Sequence, residues 1–318
     1  MTQLDAQMQK FVDQSINFYP VDAVAASVEQ QRIWYNALCQ DFAAPRPKGI
    51  VVNDAYIAAK DAYLVPVRHY TCAERDSATG SSDGTTHIVY MHGGGFVVGG
   101  LDSHNDICAE LSASTGLNLV SVDYRLAPTY QYPDDINDCL TVIDNLLEAG
   151  KKVILVGDSA GGTLAACVAN ARKSYTHTQL LGQVLIYPSL SLGVETHSMK
   201  EHAFAPLLTR EDMDYYLPIR VGGVVENIPQ TDPRYIPMQS LDYKDLPATH
   251  LFPAQIDPLH DDCELYAQAL RQAGVSVTNH TAVGQGLVHG HLRARNMSDK
   301  AAHNFEEICA AVSALAAP

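Results

Sequence analysis

The stretch Lys151-Lys-Val-Ile-Leu-Val-Gly-Asp-Ser-Ala-Gly-Gly162 decides the fold of this chain. Its apolar residues Val153 to Val156 predict a buried strand. Gly157 to Gly161 then match G-x-S-x-G, and the small residues that follow predict a helix. A serine on a tight strand-to-helix turn projects its hydroxyl at the edge of a sheet, and flanking glycines let helix and strand approach without a Cβ clash. We therefore predict a nucleophile elbow with Ser159 at its tip, against the alternative of a turn that matches the pattern by chance.

Predicted strands and helices alternate along most of the chain. The strands are predicted at 50–52, 63–70, 87–91, 118–123, 153–156, 183–187, 249–254 and 275–280, and the helices at about 104–115, 133–149, 160–173, 258–273 and 298–315. Several of the strands are short and almost continuously apolar, which indicates burial on both faces of a sheet. The alternation predicts an α/β fold on a mostly parallel, doubly wound sheet.

Residues 1 to 44 carry helical apolar stripes instead. One stripe runs from Leu4 to Val12 and a second from Val24 to Leu38, both at helical spacing. Such stripes usually face a core, so we expect packing from them and no chemistry. Pro45 and Pro47 then end the helical pattern, because two prolines so close together cannot sit inside a regular helix.

A second irregular region lies between the predicted strands at 183–187 and 249–254. It runs for roughly sixty residues without a clean βα unit. Within it we predict a helix over Leu207–Leu217, with Thr209 and Asp212 forming a capping box. An excursion of this length from the ligand-binding end of a sheet is typical of a lid.

The composition limits which kinds of partner the protein can bind and where in the cell it is expected. Lys and Arg total 21 against 36 Asp and Glu, a formal charge of −15 that would repel nucleic-acid phosphates and anionic membranes. The start of the chain lacks the basic and apolar regions of a secretory signal, and no apolar run is long enough to span a bilayer. The seven cysteines are scattered without a C-x-x-C pair, which favours reduced thiols. We expect a cytoplasmic protein with no nucleic-acid or membrane partner.

A second motif, His87-Ile-Val-Tyr-Met-His-Gly-Gly-Gly-Phe96, runs a predicted strand directly into three glycines. Acyl transfer needs donors aimed at the oxygen that becomes negative in the transition state, and the N–H groups of a glycine turn can supply them. His92 is expected to fix this turn by hydrogen bonding and not to act as a base. A phosphate cradle is the alternative, but the chain has no G-x-x-x-x-G-K-[ST] and no G-x-G-x-x-G followed by a suitably spaced acid.

A serine nucleophile also needs a base, and the base needs an acid that orients it. In sheet hydrolases the acid follows the serine and the histidine follows the acid. Asp257 lies where the predicted strand at 249–254 ends, in the kind of loop where site residues gather. Asp261 and Asp262 fall on the next predicted helix, where acidic side chains favour its N-terminal dipole. We therefore predict Asp257 as the orienting acid.

Several histidines follow Asp257 in the chain. His280 falls in a predicted strand and His303 in a predicted helix, which favours structural roles for both. His289 lies in the loop after the last predicted strand and is the predicted base, with His291 as its rival. The two could also chelate a metal, but no third ligand is evident, and we expect neither a metal nor an organic cofactor.

Six stretches resemble the hormone-sensitive-lipase branch of the α/β-hydrolases, near bacterial acetyl esterases and carboxylesterases. They lie within about residues 85–293 and are His92-Gly-Gly-Gly-Phe96, Asp123-Tyr-Arg-Leu-Ala-Pro128, Gly157-Asp-Ser-Ala-Gly-Gly162, Leu207-Leu-Thr-Arg-Glu-Asp-Met213, Asp257-Pro-Leu-His-Asp-Asp262 and His289-Gly290. The resemblance implies that Ser159 is the nucleophile, His289 the base and Asp257 its orienter.

The same resemblance implies how the transition state is stabilised. The N–H groups of Gly93, Gly94 and Ala160 would form an oxyanion hole. His92 and Gly95 would support the loop that carries the first two. No metal and no cofactor enters this arrangement.

The resemblance also implies an eight-stranded α/β-hydrolase sheet with a helical cap. The catalytic core would comprise residues 48–192 and 241–318, and the cap residues 1–47 and 193–240. The implied activity is that of a serine carboxylesterase that cleaves small short-chain acyl esters through an acyl-enzyme, and a homodimer is compatible with it. An amidase or deacetylase with the same triad stays open, as does a non-catalytic ligand-binding protein, although such proteins tend to lose the histidine that this chain keeps.

Two positions depart from the family's usual pattern. Thr129 stands where the family usually has Glu after Tyr-Arg-Leu-Ala-Pro, which puts in doubt any role of that acid in bracing the site. His291 stands where the family often carries an aromatic residue beside the catalytic histidine. We expect this change to affect the pocket wall or the titration of His289.

Overall fold

Strands and helices alternate in the observed structure as they do in the prediction. The computed structural model describes residues 4–20, 23–72, 85–191 and 194–317, except for the side chain of Val24. Its strands are β1 (Ile50–Ala58), β2 (Leu64–Cys72), β3 (Thr86–Met91), β4 (Asn118–Val122), β5 (Lys152–Asp158), β6 (Leu180–Ile186), β7 (Ala248–Phe252) and β8 (Val277–Asn279). Its helices are α1 (Ala6–Ile16), α2 (Val28–Asp41), α3 (Asn105–Thr115), α4 (Asp134–Glu148), α5 (Ala160–Ala171), α6 (His197–Glu201), α7 (Arg210–Ile219), α8 (His260–Gln272) and α9 (Asp299–Ala316).

The strands form one sheet in the order β1-β2-β4-β3-β5-β6-β7-β8. From β4 through β3 to β8 every neighbouring pair is parallel, whereas β2 pairs antiparallel with both β1 and β4. The predicted α/β architecture on a mostly parallel, eight-stranded sheet is confirmed. Because the parallel strands all end at one edge, the loops after β3, β5, β7 and β8 can meet there.

Two apolar layers cover the faces of this sheet. Side chains alternate along β5, so Ile154 and Val156 enter the layer on the side of α3 and α9, and Val153 and Leu155 enter the layer on the side of α4, α5 and α8. The same alternation in β3 and β4 makes the central strands apolar on both faces, which is why they read as continuous hydrophobic runs. Burial of these strands fixes the carboxyl edge on which the site is built.

The first strand differs most from the prediction. β1 extends to Ala58 although only 50–52 was predicted, because residues 53–58 gain an antiparallel partner in β2 that their own sequence pattern does not reveal. Arg68 of β2 contributes by donating from its Nε to Asp54 of β1 across 2.6 Å. Cross-strand pairs of this kind stabilise a sheet independently of apolar alternation.

Each irregular region contains a helix where one was predicted. In α1 the stripe residues Met8, Phe11 and Val12 are buried in the layer that also contains α9. α7 begins at Arg210, three residues later than predicted, because the Thr209–Asp212 capping box ends the loop there; this predicted box is confirmed. In the described part of the chain, no helix is both long and apolar enough to cross a membrane.

Candidate active site

Ser159 occupies the turn between β5 and α5 in a conformation that few non-glycine residues adopt. Its φ is 53° and its ψ −120°, so the turn stores strain that the surrounding packing must hold. The glycines of the motif permit the close approach, since a Cβ on Gly161 would overlap the carbonyl oxygen of Met91 and one on Gly157 would overlap that of Gly161. The Ser159 N–H donates to the Ile186 carbonyl at 2.9 Å, which ties the turn to β6.

His289 and Asp257 come together with Ser159 from two later loops. An isolated parallel bridge pairs Ile256 with Val288, so the next residue of each segment starts side by side. Nδ1 of His289 lies 2.7 Å from Oδ2 of Asp257, and Nε2 lies 2.9 Å from Oγ of Ser159. A carboxylate can only accept, so Nδ1 carries the proton and Nε2 is left free to accept the serine proton. Asp257 is fully buried, and its Oδ1 accepts the Leu259 N–H at 2.9 Å.

The residues considered as alternative acids and bases contact other parts of the structure. His291 is fully buried, with Nδ1 3.0 Å from the Val288 carbonyl and Nε2 3.0 Å from Oδ1 of Asn304, so its ring faces α9 and not Ser159. Asp262 accepts from the Leu190 and Ser191 amides, and Asp261 from the Ser198 amide. His280 stacks on His250. The geometry therefore separates His289 and Asp257 from each of these four residues.

The glycine turn after β3 differs from the expected assignment at one position. The Gly93 N–H donates to Oδ1 of Asp158 at 2.9 Å, and Gly93 does not line the cavity above Ser159, whereas Gly94 and Gly95 do. No acceptor among the described residues receives the amide of Gly94 or Gly95. Ala160 opens α5, so its amide has no partner within the helix. The assignment of Gly93 as an oxyanion donor is therefore corrected, because its N–H donates to Asp158 and anchors the loop. The amides of Gly94, Gly95 and Ala160 are the candidate donors.

His92 fixes this turn. Its Nδ1–H donates to the Gly93 carbonyl at 2.8 Å, and the Tyr124 hydroxyl donates to the His92 carbonyl at 2.7 Å while its ring stacks on the imidazole at 4.3 Å. Complete burial, with the neighbouring His104 as a smaller cause, lowers the pKa of His92 to about 3. The side chain is therefore neutral at physiological pH, and it does not line the cavity above Ser159.

Comparison with known proteins places this geometry in a family. Residues 88–293 match the family model described as alpha/beta hydrolase fold. The chain is 31% identical over 261 residues to an ethyl acetate hydrolase of Pseudomonas putida, covering 79% of this chain and 78% of that protein. It is 30% identical over 326 residues to the carboxylic ester hydrolase LipN of Mycobacterium tuberculosis, covering 98% and 83%. The chain belongs to the α/β-hydrolase fold family.

The solved structures agree at the level of the whole chain. A hyperthermophilic esterase from the archaeon Pyrobaculum calidifontis superposes with a TM-score of 0.85 at 27% identity, over 99% of each chain. The resemblance to the hormone-sensitive-lipase branch of the α/β-hydrolases is thus confirmed.

Above the serine of this α/β-hydrolase lies a cavity of about 780 Å³. Its lining comes partly from α1, α2 and α3, with Phe11, Tyr35 and Ile107, and partly from α7, with Met213 and Leu217. Apolar and aromatic side chains make up most of this lining, as expected for a pocket that takes uncharged organic molecules. Among the described residues, no group of three His, Cys, Asp or Glu side chains is arranged to hold a metal ion.

A cluster of buried polar side chains around Asp158, next to the serine, was not predicted from the sequence. Besides Gly93, Asp158 accepts from the Tyr90 hydroxyl at 2.8 Å, and its Oδ1 lies 3.3 Å from Nε2 of His104. Arg293 reaches the same place, with one terminal nitrogen 3.3 Å from that Nε2 and another donating to the Ser103 carbonyl at 2.8 Å. Burial would raise the pKa of Asp158, but the His104 and Tyr90 contacts and the charge of Arg293 outweigh it and hold that pKa below its usual range. The position of Asp158 inside the serine motif was the one local signal for this group.

The two departures from the family pattern have different outcomes. Thr129 is exposed at the surface. It therefore makes no buried contact that could take over a bracing role of the family's acid. His291 packs edge-to-face on Tyr187 at 5.0 Å, and the same Tyr187 ring lies 4.7 Å from His289. His291 therefore contacts His289 only indirectly, through Tyr187. The pKa of His291 is lowered, mainly by its burial.

Asp123, at the end of β4, provides a prediction on stability and pH. Burial, with the nearby Asp102 as a smaller cause, raises the pKa of Asp123 from 3.8 to about 6. A raised pKa means that the folded state prefers the protonated acid, so the stability from this group is lost as the pH rises through about 6. Asp123→Asn should therefore raise the free energy of unfolding by about 1 to 3 kcal/mol at pH 7.5, and by much less at pH 4.5, as measured by urea unfolding.

Asp54 is the matched control for this measurement. Its hydrogen bond from Arg68 lowers the pKa of Asp54, so its stabilising contribution is present above pH 3.8 and is lost as the pH falls. Asp54→Asn should therefore change stability at pH 7.5 in the opposite direction. If both substitutions changed the free energy of unfolding equally at both pH values, the raised pKa of Asp123 would be contradicted.

Proposed function

We propose that this α/β-hydrolase cleaves short-chain acyl esters through an acyl-enzyme on Ser159. The observation that carries the proposal is the continuous hydrogen-bonded line Ser159–His289–Asp257, with separations of 2.9 and 2.7 Å, on the floor of a largely apolar cavity. At the level of enzyme class, the protein is a carboxylic ester hydrolase of the hormone-sensitive-lipase-like family. The preference for short acyl chains is supported by its relative that is named an ethyl acetate hydrolase.

In the proposed acylation step, Oγ of Ser159 attacks the ester carbonyl carbon as Nε2 of His289 takes the hydroxyl proton. Asp257 holds the Nδ1–H and stabilises the imidazolium that forms. The carbonyl oxygen becomes negative and is met by the amides of Gly94, Gly95 and Ala160. When the tetrahedral intermediate collapses, the bond to the alcohol oxygen breaks and His289 returns the proton to that oxygen.

The deacylation step repeats the chemistry with water. His289 takes a proton from water as the water oxygen attacks the acyl carbon, and it returns that proton to Oγ of Ser159 when the acid leaves. With the ester and one water as reactants, Ser159 and His289 account for every bond and proton in both steps. Preorganised amides contribute the largest share of such catalysis, about 3 kcal/mol for each donor.

In this proposal, one part of the chain carries out catalysis and another controls access of the substrate. Residues 48–192 and 241–318 would form the catalytic core, and residues 1–47 and 193–240 the cap. The boundary at 192 and 193 lies outside the described residues. Cap helices α1, α2 and α7 supply much of the cavity wall, so they would decide which esters reach Ser159. The oligomeric state stays a prediction.

Turnover of p-nitrophenyl esters from C2 to C12 tests the proposed substrate class. Each buried methylene adds about 0.8 kcal/mol of binding until the acyl site is full. We expect kcat/KM to peak at or below C6 and to fall by about tenfold or more at C12. A profile that rises steadily to C12 would contradict the short-chain preference while leaving the ester hydrolase class intact.

The matched anilide, p-nitroacetanilide, distinguishes an esterase from an amidase. An amine is a poorer leaving group than p-nitrophenolate, so we expect the anilide to be turned over far more slowly than p-nitrophenyl acetate. Comparable kcat/KM values for the two would favour the amidase alternative. A covalent fluorophosphonate adduct on Ser159, detected by mass spectrometry, would argue against a protein that only binds ligands.

A further inference from the structure

The cap helix α2 is hydrogen-bonded to the loop that carries the oxyanion donors. Nε of Arg32 donates to the Val97 carbonyl at 2.8 Å, and one of its terminal nitrogens donates to the Ala127 carbonyl at 3.1 Å. The Ala127 N–H in turn donates to the Phe96 carbonyl at 2.9 Å. One planar guanidinium therefore joins the cap to two adjacent loops of the core.

The loop from Gly94 to Val98 needs such support because of its backbone conformation. Gly94, Gly95 and Phe96 have φ values of 124°, 60° and 65°, of which the last is unfavourable for a residue with a side chain. The Val97 and Val98 amides both donate to the Gly94 carbonyl at 3.0 Å and close the turn on itself. Any shift of Val97 is thus passed directly to Gly94.

The two sides of this loop are held differently. On the inner side, the Gly93 amide is anchored by Asp158 at 2.9 Å. On the outer side, Val97, Val98 and Ala127 pack in a small apolar cluster, apart from the two layers that cover the sheet. The partners in this cluster come from the cap and are Val28, Tyr35, Tyr215, Tyr216 and Ile219. The outer position of the loop is therefore set by the cap, and Arg32 supplies its polar contact.

We propose that Arg32 is a positioning residue that holds the oxyanion loop in its catalytic geometry from the cap. The inference rests on the proposed acyl-enzyme function, in which Gly94 and Gly95 donate to the oxyanion. Arg32 is separated from those amides by Val97 and does not line the cavity. Its loss should therefore weaken stabilisation of the transition state more than binding of the ester, because hydrogen bonds to the oxyanion depend steeply on position.

The test compares Arg32→Met and Arg32→Lys with Arg46→Met, a change at an exposed arginine shortly after α2. With p-nitrophenyl acetate, we expect kcat to fall about 10- to 100-fold in Arg32→Met, with KM changed less than about threefold. Arg32→Lys should be intermediate, because an ammonium cannot reproduce the fork that spans two carbonyls. Arg46→Met should match the wild type.

A second readout separates positioning of the oxyanion loop from general damage to the fold. The thiono analogue of the ester places sulfur in the oxyanion hole, where amide donors aligned for oxygen help less. The ratio of ester to thionoester kcat/KM should therefore fall by about tenfold or more in Arg32→Met and stay at the wild-type value in Arg46→Met. The melting temperature of each variant is recorded beside it.

The outcomes distinguish this inference from the proposed function. If the wild type lacks esterase activity, the proposed function fails and this inference fails with it. If the wild type is active and the Arg32 variants change only the melting temperature or KM, with the ratio unchanged, Arg32 only attaches the cap and the inference is overturned. A fall in kcat with a reduced ratio supports it.

Discussion

Ser159→Ala is expected to lower kcat for p-nitrophenyl acetate by about 10⁴-fold or more. The substitution removes the hydroxyl oxygen that lies 2.9 Å from Nε2 of His289, so no acyl-enzyme can form. Alanine is smaller than serine and adds no new contact, although the φ of 53° stays unfavourable for it. The circular dichroism spectrum and the melting temperature should therefore stay close to those of the wild type. Steady-state kinetics with active-site titration of the wild type measures the effect.

The histidine gives an internal control for this prediction. His289→Ala should cost about as much as Ser159→Ala, and the double variant Ser159→Ala/His289→Ala should be no worse than either, because residues that act as a unit have non-additive effects. The activity that remains would come from the amides of the oxyanion loop. Retention of one-hundredth or more of the wild-type kcat in purified Ser159→Ala, or strictly multiplicative losses in the double variant, would contradict the proposed mechanism.

Gly94→Ala has the second-largest expected effect, a loss of about 10²- to 10³-fold in kcat/KM. Gly94 has a φ of 124°, which residues with a side chain rarely adopt, and a Cβ built on it would overlap the Val98 carbonyl oxygen. The loop must therefore open, and its movement displaces the Gly94 and Gly95 amides from the oxyanion. The wild type and the variant would be compared by kcat/KM for p-nitrophenyl acetate and by melting temperature.

Gly116→Ala is the matched control for the backbone. Gly116 ends α3 with a φ of 67°, and nothing lies within 4 Å of a Cβ built there. This substitution should cost about 1 kcal/mol in stability from the left-handed conformation alone, and it should leave kcat/KM unchanged. If Gly94→Ala behaved like Gly116→Ala, the loop would not be constrained as the contacts indicate.

The sequence predicted the sheet well because its signals are local. The apolar runs in β3, β4 and β5 reflect burial on both faces, and the glycines of the serine motif reflect the tight turn that they form. The extension of β1 was missed because residues 53–58 pair through a partner strand and not through their own periodicity. The second helical stripe was assigned to packing alone, yet its residue Tyr35 lines the cavity and accepts a hydrogen bond from Arg293 at 3.0 Å.

The oxyanion loop likewise has features that local sequence predicts and features that only tertiary contacts fix. The sequence by itself determined that a glycine turn follows β3 and that a serine elbow follows β5, because contiguous residues encode both turns. Only the tertiary structure decided that the Gly93 amide is bonded to Asp158, 65 residues later in the chain, and that Arg32 reaches Val97 from the cap. A hydrogen bond between distant segments depends on how their elements pack, and no spacing along the chain records it.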